Sequence, residues 1–334
     1  MNHLPQGLHF KRTFGKFARF IVTVYLFFFG FSIIFISKAI SQKADTISFF
    51  SRSPILNLDR VRGLAFAETS VFSSGLLGIN ELWYRSYPRE KFHFFNDNSE
   101  WLQMDKASHF FDSYYIGKLG IDALKWAGTS KKNSVLWGAG FGFLFLSTVE
   151  FFDGYSVGWG YSKGDALSNC AGTAFLLGQE YLWGQQKILL KYTFSRTKFP
   201  SYNPDLLGKN FQQQLVKDYN GMTFWMSTNP SWLFRNKNNR INKFFPDWLN
   251  IAAGYGADGM IGGNENPKKN SIGNPVPSFQ RKRQYYLSLD VDLTRLKTKS
   301  KFLHSFFYLI NFFKIPAPAI ELEGKKIKFH PIYF

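Results

Sequence analysis

The chain has 334 residues, 45% hydrophobic and 19% aromatic, with 41 Lys and Arg against 23 Asp and Glu, a formal net charge of +18. So apolar a composition excludes a disordered chain, and a mean hydropathy of −0.19 excludes a polytopic transporter. A single cysteine, Cys170, excludes an intrachain disulfide.

Lys11, Arg12, Lys16 and Arg19 precede an uncharged apolar run from Phe20 to Ile36, and Ser37 to Ser41 offers small residues for cleavage. This is the pattern of a secretory signal peptide over residues 1–41, so the protein is expected to be exported to the periplasm or outer membrane. The run is also just long enough for a retained anchor. Because Cys170 lies far downstream of it, a lipid-attached N-terminus is not expected. Beyond the leader, residues 42–190 carry 14 cations and 14 anions and residues 191–334 carry 22 against 9, which divides the chain into a neutral and a basic region.

The neutral region reads as a bundle of about four helices. Arg60 to Tyr84 is helical in pattern, with Leu64, Val71, Leu76 and Leu82 apolar and Pro88 beyond its end. A polar loop, Arg89 to Glu100, leads to helices predicted over Leu102 to Ala127 and Asn133 to Phe152. A fourth starts after Tyr161, where Ser162 is an N-cap with Asp165 three residues later, a capping-box-like start. Between the last two, Asp153 to Ser162 contains three glycines and three aromatics but neither GxxxxGK[ST] nor GxGxxG, so no nucleotide is expected.

Within these apolar helices polar residues recur at helical spacing: Asp105 with His109 and Asp112, Glu150 with Asp153, and Asp165 with Asn169. Residues three or four apart share a helix face, and lone charges among apolar neighbours are costly. The groups are therefore expected to face one another, a bound ion or a wet cleft. Asp165 is equally explained by the preference of a helix N-terminus for negative charge.

The series Asp105-Lys106-Ala107-Ser108-His109, then Glu150 with Asp153, then Ser162, Asp165, Asn169 and Gly172 resembles the YfiM-like family of predicted periplasmic (lipo)proteins of unknown function, in a form like that of the Bacteroidota. It is more loosely similar to the VanZ-like membrane proteins. The overlap covers about residues 100 to 185. The resemblance implies a helical core and leaves the reaction open; the chain departs from it in lacking the lipid-bearing cysteine.

Three readings of the polar face follow. As a metal site, Asp105, His109, Asp112, Glu150, Asp153 and Asp165 offer one imidazole and several carboxylates to a divalent ion. As a metal-free hydrolytic site, His109 is the base, oriented by Asp105 or Asp112, with Glu150 a second acid or base. As structure, Lys106, Ser162 and Asn169 join the acids in a polar network that fixes helix register.

The basic region reads as β-rich, giving an α+β protein with a sheet or partial barrel after the helices. Strands are predicted at Ile188 to Ser195, Met222 to Ser227, Leu249 to Met260, Gln284 to Leu293 and Ala319 to Phe334. Tyr286, Ser288, Asp290 and Asp292 alternate with Leu287, Leu289, Val291 and Leu293, a strand with one apolar face. Leu303 to Phe313 reads as an amphipathic segment and Ile315 to Ala319 as a stiff linker. The terminal Phe334 and the Lys-rich runs suit membrane lipid or outer-membrane proteins as partners; export argues against nucleic acid. The expected function is structural or assembly work in the envelope, the alternative a metal-assisted hydrolase of lipid or cell-wall material.

Overall fold

The computed structural model describes residues 49–85, 87–232, 246–269 and 273–334. The expected signal peptide, residues 1–41, lies outside them. The described residues form an α+β protein built on a six-stranded antiparallel sheet, and the chain divides into two compact units.

The smaller unit holds helix α1 (Leu58–Ile79) and residues 122–134. Asn57 caps α1 by accepting from Arg60 N–H at 3.0 Å. The Arg60 guanidinium lies 4.3 Å from the centre of the Trp126 ring and donates to Ser51 O at 2.7 Å and Trp126 O at 3.1 Å. The helix predicted to reach Tyr84 loosens into a π-turn at Asn80–Tyr84.

The larger unit holds residues 87–121 and 135–334, and so most of α2 (Met104–Trp126) and α3 (Lys131–Asp153), and all of α4 (Lys163–Trp183). Glycines set the distance between these rods. A Cβ on Gly142 of α3 would fall 2.5 Å from Gly117 N of α2, and one on Gly172 of α4 would fall 2.2 Å from Phe110 O of α2. The backbones meet only because these positions lack side chains. Among the described residues α3 alone is long and apolar enough to cross a membrane, with 33% of that stretch buried inside the protein.

Two short segments, β1 (Phe94–Phe95) and β2 (Tyr161–Ser162), pair in parallel and bring the 89–100 loop against the start of α4. The main sheet follows as a meander of β3 (Ile188–Phe194), β4 (Met222–Thr228), β5 (Leu249–Asp258), β6 (Lys282–Val291), β7 (Ala317–Glu323) and β8 (Lys326–Tyr333). Short helices α5 (Pro204–Leu207) and α6 (Phe211–Lys217) lie between β3 and β4, and α7 (Lys301–Ile310) between β6 and β7. The single strand predicted over Ala319 to Phe334 is a hairpin, turned at Gly324, whose φ of 60° suits glycine. The predicted linker at 315–319 already enters β7 at Ala317.

The sheet is strongly rolled. Trp225 on β4 and Tyr333 on β8 have ring centres 5.7 Å apart, whereas four strand spacings in a flat sheet would put them about 19 Å apart. It remains open, because β3 and β8 are not paired; part of the β3 edge is covered by Tyr192 N donating to Phe312 O at 2.8 Å and accepting, through Tyr192 O, from Lys314 N at 3.0 Å.

Side-chain polarity in this sheet is inverted. On β6 the polar series faces in, with Asp290 1% exposed, while Leu287 and Leu289 face out at 53% and 45%. The interior carries Lys191 Nζ 2.8 Å from Asp290 Oδ2, with Ser227 Oγ donating to the same oxygen at 2.6 Å. Glu321 accepts from Lys328 at 3.0 Å and meets His330 Nε2 at 2.6 Å, and Glu323 pairs with Lys282 and Lys328, each at 2.8 Å. The outer face is covered over β3 and β4, where Leu190 joins Phe111, Tyr114, Ile121, Ala139 and Leu176 in the main core with Tyr192 and Phe224 packed against it, and over the second half of β5, where Ala257 packs with Met104, Met222 and Met260.

Candidate functional site

The lead into α2 is unusual. Trp101, Leu102 and Gln103 have φ of 50°, 52° and 64°, a left-handed run costing roughly 1–2 kcal/mol per non-glycine residue. The helix predicted from Leu102 therefore starts at Met104. Tertiary bonds hold the turn: Trp101 N donates to Gly263 O at 2.9 Å, Gln103 Nε2 to Asn98 O at 2.6 Å, and the Tyr255 hydroxyl to Leu102 O. The turn places Asp105 and Lys106 in the first turn of α2, with His109 one turn later on the same face.

Three helices then converge. His109 Nε2 lies 3.5 Å from Glu150 Oε1 of α3, 3.9 Å from Asp165 Oδ1 of α4 and 3.8 Å from Asp105 Oδ1. Its other nitrogen, Nδ1, is 3.1 Å from Asn169 Oδ1; with Nδ1–H donating there, Nε2 is turned toward the carboxylates. Lys106 Nζ bridges Asp97 at 2.7 Å, Asp165 at 2.9 Å and Asp105 at 3.2 Å. Ser162 is the N-cap expected of it, accepting from Asp165 N at 3.0 Å. The reciprocal arm of a capping box is replaced: Ser162 N lies 3.4 Å from Glu150 Oε2, which leaves the Asp165 carboxylate for Lys106 and His109.

The side chains of Glu150 and Asp165 are 2% and 5% exposed, those of His109 and Asp105 16% and 20%. The deep carboxylates are crowded. Glu150 Oε1 has no hydrogen-bond partner, and Asp165 Oδ1 is 2.9 Å from Lys106 Nζ as an ion pair. Burial, then the charges of Asp153, Asp165 and Asp105, push the Glu150 carboxyl up to about 10. Burial and Asp105 push Asp165 up to about 9. Asp105 goes the other way: burial raises it, but His109, Lys106 and the Tyr219 hydroxyl together hold it below the ordinary carboxylate range.

Of the residues singled out by sequence, Asp105, Lys106, His109, Glu150, Ser162, Asp165 and Asn169 come together. Asp112 accepts from Ser108 at 3.1 Å, and burial raises its carboxyl to about 6. Asp153 acts on Glu150 through its charge. Neither belongs to the group of ligand atoms lying within 4.8 Å of one another, which comprises Asp105, His109 and Asp165. Two participants had no signal in the sequence. Asp97, in the polar loop, accepts from Ser162 Oγ at 2.6 Å. Tyr219, between α6 and β4, donates to Asp105 Oδ1 at 2.6 Å across 114 positions.

The donor set fits one divalent ion. Ligands around a tetrahedral ion with bonds of about 2.1 Å lie roughly 3.4 Å apart, and a small inward movement of Asp105, His109 and Asp165 reaches that. Asn169 at Nδ1 is the outer partner that fixes a ligating imidazole.

Fold and site together define an α+β protein with a carboxylate-rich centre between three helices. A family model described as predicted periplasmic lipoprotein (DUF2279) matches residues 93–178, about a quarter of the chain, which includes every site residue but Tyr219. That segment is thus similar to a periplasmic family of unknown function, in keeping with an exported envelope protein. The chain's cysteine, Cys170, is exposed on α4. No curated protein matches the chain, and no solved structure does.

Proposed function

We propose that the protein is an envelope hydrolase assisted by a single divalent ion, held by Asp105, His109 and Asp165, and that it acts on lipid or cell-wall material. The observation that carries this reading is the uncompensated oxygen of Glu150, 3.5 Å from His109 Nε2 and without a hydrogen-bond partner. A cation there neutralises carboxylates whose pKa values are otherwise forced upward. An ion held there would supply a bound water of lowered pKa. Glu150 would serve as the proton acceptor beside it, Tyr219 and Asn169 orient Asp105 and His109, and Lys106 offers positive charge beside Asp165.

A second reading has its own support. Lys106 ties the 89–100 loop, α2 and α4 together through three ion pairs, which suits a scaffold of the outer membrane that fixes helix register without turnover. Elemental analysis of the purified chain separates the two. We expect about one equivalent of metal, lost in His109→Ala; with Glu150→Gln, metal stays bound while hydrolysis of envelope lipid or peptidoglycan fragments falls at least a hundredfold. Wild-type protein that takes up no divalent ion would leave the scaffold reading.

A further inference from the structure

We propose that the outer face of β6, β7 and β8 is seated in the acyl layer of one membrane leaflet, so that the partner of this surface is lipid hydrocarbon. Strand register aligns its side chains into two rows, Leu287–Ile320–Phe329 and Tyr285–Leu322–Ile327. All six are large and between 42% and 75% exposed. Contiguous apolar surface of this kind marks an interaction site.

The opposite face shows what the surface is for. In a water-soluble sheet with one covered face, the apolar side chains turn inward and the polar ones outward. Here the inward positions include Asp290, Glu321 and Glu323, paired with Lys191, Lys328 and Lys282, beside the packed rings of Trp225, Tyr286 and Tyr333. The concave side is already filled by these ion pairs and rings, and the apolar rows face outward. Polar-in and apolar-out alternation is the arrangement that strands adopt against lipid.

Size and charge favour one leaflet over a protein partner. From Tyr285 to Leu289 the strand rises about 14 Å, close to half of the roughly 30 Å hydrocarbon layer. Exposed Arg283, Lys325 and Lys326 lie where β6 and β8 begin, at one end of these rows, as phospholipid head groups of negative charge require. After β6, the amphipathic α7 exposes Phe302, Phe306 and Leu309, begins at Lys301 and follows Lys297 and Lys299.

The test must report position, because the apolar run Phe20 to Ile36 can tether the chain to vesicles by itself. In the full chain with Cys170→Ser, single cysteines at Leu289, Ile320 or, as a polar control, Glu265 are labelled with an environment-sensitive fluorophore and bound to phosphatidylglycerol–phosphatidylcholine vesicles. Circular dichroism and melting curves confirm folding. The labels at 289 and 320 are expected to shift to the blue and to be quenched by acyl-doxyl lipid several-fold more than the label at 265. Water-like emission at 289 and 320 on vesicle-bound protein would overturn the proposal. So would shielding in the absence of vesicles, concentration-dependent and insensitive to doxyl lipid, which would assign the face to a second copy of the chain. The outcome is independent of metal binding.

Discussion

At the scale of the residue, Glu150 and Asp165 set the pH response of the metal-free protein. Their carboxyls are raised to about 10 and about 9, from ordinary values of 4.5 and 3.8. Between about pH 5 and 9 the unfolded chain has therefore released protons that the folded chain keeps. Stability then falls as pH rises through that window, and the decline is expected to be shallower in Glu150→Gln. Ligation requires the Asp165 carboxyl deprotonated, and a cation beside Glu150 favours its charged form, so saturating divalent ion should cancel or reverse the slope. Melting curves at pH 5, 7 and 9, with chelator and with metal, check both signs. Lys106 gives a prediction of its own. Its ammonium, 13% exposed, faces Asp97, Asp105 and Asp165, and burial lowers its pKa less than Asp105 and Asp165 raise it. Lys106→Met leaves buried carboxylates facing one another and is expected to cost about 3–5 kcal/mol, measured by denaturant titration at pH 7.

At the scale of the element, the centre depends on how closely α4 lies against α2. Gly172 sits three residues after Asn169, where a Cβ would come within 2.2 Å of both Phe110 O and Ser113 Oγ. Gly172→Val must push the helices apart, at a cost of about 1–3 kcal/mol or more, and it lengthens the contact between Asn169 and His109. Both a lower melting temperature and weaker metal binding are expected; a lower melting temperature with unchanged metal affinity would mean that the helix spacing does not position the imidazole. The rods themselves were legible because their apolar runs are long, and Ser162 was legible as a cap because its chemistry is local. Other features were not. Nothing in Trp101-Leu102-Gln103 announces a left-handed turn, since it is imposed by bonds to Gly263, Tyr255 and Asn98. Tyr219 reaches Asp105 only through the tertiary fold. Gly324 did mark the missed hairpin, but the alternating residues on both sides of it read as one strand. Period-two alternation in β6 identified two faces without saying which one is covered, and the sheet buries the polar one.

At the scale of the whole molecule, residues 191–334 carry 22 cations against 9 acids, an excess that ion pairing inside the sheet leaves intact. Three of the nine acids, Asp290, Glu321 and Glu323, are buried inside the rolled sheet with lysines of their own. The remaining surface of that half is therefore cationic around an apolar face, and the two contributions respond differently to salt. Attraction to anionic head groups is screened as the Debye length shortens from about 10 Å at 0.1 M to about 3 Å at 1 M, whereas burial of apolar side chains in hydrocarbon does not weaken with added salt. Flotation of the full chain with vesicles containing phosphatidylglycerol should accordingly weaken by about tenfold or more between 0.05 and 0.5 M salt. With vesicles of phosphatidylcholine alone, the smaller bound fraction should change little. In the fraction still bound at high salt, the label at Leu289 should keep its blue-shifted emission, because head-group attraction brings the sheet to the membrane and hydrocarbon contact holds it there. Loss of that emission along with the salt-sensitive fraction would mean that charge alone holds the sheet at the surface, with its apolar rows still in water.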